Sequence, residues 1–140
     1  MELAVVLPIL LWIVFMAVDM GRFGKFKMTA ANAARSAAFA ASQNAGTMGP
    51  TGQLTSGPIY NEVMNEIKGY NGNGANGYLE IDPTKVEVWA TQPLDSHGRQ
   101  AVAIQVKLPF NLIIHFGAAE ITYGGGFTVS ETCQMRVRPG

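Results

Sequence analysis

With 140 residues the chain is long enough for one domain with a modest core and too short for two comfortable ones. Ten basic and ten acidic side chains cancel, so there is no global positive field of the kind that draws a protein to nucleic acid or to an anionic surface. Charged residues make up only 14% of the chain, against about 25% in an ordinary soluble domain, and the deficit is concentrated near the N-terminus.

Residues 3–18, LAVVLPILLWIVFMAV, are sixteen consecutive apolar positions bounded by Glu2 and Asp19. At about 1.5 Å per residue they reach roughly 24 Å as a helix, near the lower limit for a bilayer core of about 30 Å. A cleavable signal peptide would carry basic residues ahead of the run and a small-residue cleavage site behind it. Here an acidic Glu2 precedes it and Asp-Met-Gly-Arg follows, so the run is expected to be retained.

From Arg22 to Ser42 the chain reads RFGKFKMTAANAARSAAFAAS, dense in alanine, the residue with the best intrinsic helix propensity. One helix over about 3–42, some 60 Å long, is the expectation. Small side chains such as Ala34 and Ala38 let backbones approach closely, against the chain's own domain and against other subunits. Pro8 is expected to kink this rod or be accommodated by neighbouring groups, and Gly21 and Gly24 to allow a bend or an unwound turn at 21–24. Asp19 and Arg22, three apart, are placed to pair at the membrane boundary, and Arg22, Lys25 and Lys27 could meet lipid phosphates.

Residues 43–58 read as loop from their Gly, Pro, Ser and Thr content. Pro58 to Lys68 carries apolar side chains at 59, 63, 64 and 67, the spacing of a short amphipathic helix, with Ser56 a candidate cap. Residues 69–78, with three Asn-Gly pairs, read as a turn-rich loop. Three segments then alternate with period two: 84–91, 100–109 and 127–137, each a strand with one face buried. Between the last two, Pro109 interrupts an apolar stretch and either continues the second strand as an edge or leaves the sheet. The fold class expected is α+β: a long N-terminal helix, half membrane-spanning and half alanine-rich, packed on a small antiparallel sheet with one short helix. Residues 1–42 form the membrane and assembly helix in this reading, and 43–140 a globular domain.

Residues that could carry chemistry are sparse. Cys133 is the only cysteine, so no disulfide forms within one chain, and mutual packing of copies could supply the missing stabilisation. The thiol itself reads as a small buried residue in a strand. His97 lies in a turn-like DSHGR and His115 in an apolar stretch, neither with a second ligand at metal spacing. Gly124-Gly125-Gly126 lacks the strand-to-helix setting that phosphate cradling requires. Asp82 and Glu80, near Asn73 and Asn76, read as solvated loop groups before a calcium site. Trp89 and the tyrosines at 60, 70, 78 and 123 read as packing residues before a ligand face. The expectation is a protein without catalytic residues, cofactor or metal.

In this order the elements resemble type IV pilins, and within them the TadE-type pilin-like proteins of tight-adherence (Tad) systems. Glu2, five residues and Pro8 match the start of that family's helix; Asp19, Gly21 and Arg22 match its closing Asp-x-Gly-Arg. Ala33, Ala34 and Arg35 match the Ala-Ala-Arg that follows, and Pro109-Phe110 and Met135-Arg136-Val137 fit later positions. In the family a basic leader is cut a few residues ahead of the glutamate, which here stands at position 2. The resemblance implies a membrane-anchored subunit of a helical homopolymer, assembled by bundling of these helices and displayed at the cell surface for adhesion. It also implies a prepilin peptidase and an assembly platform as partners, and no nucleic acid. Glu2, Pro8, Trp12, Asp19, Arg22, Ala34 and Ala38 are the expected interface, Glu2 pairing with the N-terminal amine of a neighbour. A minor subunit, or a monomeric single-pass anchor for a binding domain, is the other reading.

Overall fold

The computed structural model describes residues 2–43, 51–71, 81–94, 96–110 and 127–137, with side chains from Val6 onward. Helix α1 (Glu2–Gln43) runs unbroken through its 42 residues, with Pro8 inside it. Residues 21–24 stay helical, so the unwound turn allowed for by the two glycines does not form. The flanking side chains explain this: Asp19, Arg22 and Phe26 are all buried and hold this stretch in register against the domain.

Beyond residue 25 α1 is sided. Phe26, Ala30, Ala33, Ala34, Ala37, Ala38 and Ala41 are buried, a spacing of three and four that draws one stripe along the helix. Helix α2 (Pro58–Asn71) lies against it with Ile59, Val63 and Ile67 buried and Met64 half-buried. Two contacts give their relative direction. Ser36 donates to Glu62 near the start of α2, and Phe26 meets Tyr70 near its end, so the helices run antiparallel. The N-cap of α2 is Gly57, whose carbonyl accepts from Asn61 at 2.9 Å, and Ser56 lies one residue too early for that role. At the other end α2 outlasts the expected Lys68 by three residues, because Asn71 clamps Ile81: its amide donates to the Ile81 carbonyl and its oxygen accepts from the Ile81 amide.

The sheet has four strands in the order β1-β2-β3-β4, all antiparallel: β1 (Gly52–Leu54), β2 (Glu87–Thr91), β3 (Ala101–Phe110) and β4 (Phe127–Arg136). One turn of 3-10 helix, Pro83–Lys85, precedes β2 where the strand was expected to begin. Alternation decides the faces. Val88, Val102, Ile104, Val106 and Leu108 are wholly buried toward the helices, and each such side chain contributes about 1.5–3 kcal/mol by leaving water. Pro109 stays within β3, paired with Thr128 of β4. It does so at no cost to the ladder's other side, because β2 pairs only as far as Lys107. Strand β1 lies inside the segment expected to be loop, and Phe127, which opens the strand expected over 127–137, is 66% exposed.

The protein is therefore α+β, and the distal half of α1 shares one hydrophobic core with α2 and the sheet. The expected division at 42/43 falls one residue before the end of α1.

Candidate assembly and anchoring surface

In the lower half of α1 every side chain from Val6 to Val18 is exposed, Pro8 and Trp12 included. Trp12 stands 44% open, with Leu10 and Ile13 more so. By length and composition this helix can cross a membrane. Glu2 lies in its first turn, and its side chain falls outside the described residues.

The boundary between the bare and the packed halves is built by six side chains. Asp19 Oδ1 accepts from Arg22 Nη1 at 2.8 Å, one helical turn apart, and the two residues are only 5% and 9% exposed. The Arg22 guanidinium lies over the Phe110 ring at 5.4 Å. Phe110 also meets Phe23 and Phe26 edge to face, at 5.6 and 5.1 Å between centroids. Thus β3 ends by capping the pair that the helix sequence places at the membrane boundary. Phe110 stood out in the sequence only as part of Pro109-Phe110; its place over Arg22 depends on how far β3 reaches, which local pattern does not carry. Tyr70 closes the same cluster from α2, and burial raises its phenol above the ordinary value, with nearby Arg22 opposing.

Ala34 and Ala38, expected to pack on the chain's own domain and on other subunits, are 1% and 0% exposed inside the chain's own core. The outward side of that half carries Met28, Asn32, Arg35 and Phe39 instead.

The outer face of the sheet is polar. Lys107 lies 5.3 Å from the Trp89 ring centre and 3.4 Å from the Glu87 carboxylate, which also accepts from the Trp89 indole. Trp89 is thus a surface residue with polar partners, where core packing was expected. The indole and ammonium hold the Glu87 carboxyl below its ordinary value. An open hollow of about 350 Å³ beside it is lined by Lys85, Glu87, Lys107, Pro109, Thr128 and Ser130. Asp82 caps the 3-10 turn, accepting from the Thr84 amide and hydroxyl, and these bonds lower its pKa. His97 contacts Ser96 in an exposed turn, and Cys133 is half-buried in β4. Among the described residues no group of three His, Cys, Asp or Glu could hold a metal ion. His115, the glycines at 124–126, Glu80, Asn73, Asn76, Tyr78 and Tyr123 lie outside the described residues.

No curated protein and no solved structure matches the chain. Residues 1–38 match the family model described as TadE-like protein, a stretch that holds the bare half of α1, the Asp19–Arg22 pair and most of the alanine stripe. Over these residues α1 is similar to the TadE-like family, which is associated with the Tad pilus.

Proposed function

We propose that the chain is a non-catalytic structural subunit of a Tad-type pilus filament. It is held in the membrane by α1 before assembly, handed to the assembly platform after prepilin-peptidase processing, and bundled with other copies through the same helix. The observation that carries this reading is the change along α1: sided and buried beyond residue 25, bare on every side from 6 to 18. A bare apolar helix must be covered by lipid or by its own kind, since apolar area removed from water is worth about 25 cal/mol per Å². The TadE-like match over the same residues supports the pilus as the place where copies replace lipid. In this mechanism Glu2 is relieved on assembly by the N-terminal amine of a neighbour, an isolated carboxylate among apolar side chains costing about 2.5–3.5 kcal/mol on insertion scales. The sheet domain stays outside the bundle, available for surface adhesion.

Electron microscopy of filaments sheared from cells, with mass spectrometry of their subunits, tests the proposal directly. A chain abundant in the filaments is the main pilin. Traces of it there identify a minor subunit, and its confinement to membranes overturns the filament role in favour of an anchored binding domain. Glu2→Ala is expected to abolish filaments while leaving membrane insertion intact; unchanged filaments would remove the amine pairing from the mechanism.

A further inference from the structure

The sheet domain has a definite lower end, and the contacts along α1 say where it lies. Phe110 touches Arg22, Phe23 and Phe26, and its register partner in β4 is Phe127. Farther along, Lys27 reaches Glu131 at 3.7 Å, and Ala31, Ala34 and Arg35 share a hollow with residues 131–134. Strand β4 therefore climbs along α1 from its start, and Phe127 stands at the level of the turn that holds Arg22 and Phe23.

That level can be compared with the bilayer. A hydrocarbon core of about 30 Å takes about 20 helical residues, so a span starting at residue 3 ends near residue 22. The apolar run stops at Val18, and the shortfall is filled by the Asp19–Arg22 pair, which is withdrawn from its surroundings beneath Phe110. Around it stand the exposed apolar side chains of this level: Met20 at 74%, Phe23 at 41% and Phe127 at 66%. Phe127 is the notable one, a phenyl at the end of a strand whose next inward residue, Val129, is buried in the core. Lys25 and Lys27, both exposed, follow within two turns, at the height of lipid phosphates. Aromatic rings at the headgroup level with basic side chains just beyond are the arrangement that anchors proteins at a membrane interface.

We propose that the end of β4 at Phe127, together with Phe23 and Met20, rests in the outer headgroup layer of the membrane that α1 crosses. The domain is then seated on lipid at two places, the helix and this aromatic edge, and both must leave it when the subunit is extracted. This rests on the membrane-anchoring reading of α1, so the test reports on the two separately.

The full chain, with Cys133→Ala, is reconstituted in phosphatidylethanolamine–phosphatidylglycerol vesicles carrying one nitroxide-labelled cysteine, at Ile13→Cys, Phe127→Cys or Thr91→Cys. Thr91 is exposed and pairs with Ala103, at the far end of the sheet from Phe127. Collision with oxygen, which concentrates in lipid, is compared with collision with a water-soluble nickel chelate. The label at 13 should report deep lipid and that at 91 water. The label at 127 should show a several-fold higher oxygen-to-nickel ratio than the one at 91. A label at 127 as open to nickel as that at 91, with 13 still in lipid, overturns the footing alone. Shielding of 127 from both reagents means protein contact with a second copy and overturns it equally. A water-exposed label at 13 removes the anchoring reading and the footing with it.

Discussion

Arg22 concentrates several roles in one side chain: it neutralises Asp19, lies over Phe110 and joins the bare apolar half of α1 to the folded half. Removing one member of a buried ion pair strands the other charge, at about 3–5 kcal/mol. Arg22→Met is accordingly expected to lower the chain's stability in detergent by an amount of that order. The double variant Asp19→Asn/Arg22→Met should recover part of the loss, measured by denaturant unfolding. At Glu87 the expectation concerns pH. Its carboxyl is held below its ordinary value by the Trp89 indole, then by Lys107. A carboxyl with a lower pKa folded than unfolded contributes stability above the ordinary carboxylate range and loses it as pH falls through the folded value. Trp89 emission in a Trp12→Phe background should therefore shift on acidification below that range, and Glu87→Gln should abolish the shift.

Among the elements, α1 separates what hydropathy can report from what it cannot. Its bare apolar run, the period of α2 and the alternation of β2, β3 and β4 were all legible, because each contrasts apolar with polar positions. The alanine stretch offers no such contrast, so the side that meets the domain, and hence the burial of Ala34 and Ala38, could not be read from it. Strand β1 escaped for a related reason: three residues among glycine and threonine have no period, and only pairing with Val88–Ala90 makes them a strand. The cluster of Phe23, Phe26, Tyr70 and Phe110 joins three elements and has no local signature. Two outcomes follow for α1. Ala34→Leu overfills a closed core and should cost about 1–3 kcal/mol, whereas Phe39→Ser on the outward side should leave unfolding unchanged. A methyl on Gly21 or Gly24 meets nothing within 4 Å. Alanine at both should stabilise the fold, by up to about 1 kcal/mol for each, and raise the unfolding midpoint. A fall in filament yield from these alanines, with that gain retained, would show that the glycines serve contact between copies.

For the whole molecule, the core formed by the described residues takes no side chain from the bare half of α1, its first helical member being Phe26. A chain starting at Asp19 is expected to be soluble without detergent and to unfold cooperatively, which circular dichroism during thermal melting would record; a non-cooperative melt would show that the apolar half is needed for folding. The unbroken passage of α1 through residues 21–24 has a mechanical consequence as well. Backbone hydrogen bonds run in series from the buried stripe to the bare half, with no joint between them. In the proposed filament, tension applied to the domain would be delivered along the helix axis as a pull on a shaft, spread over every contact the shaft makes.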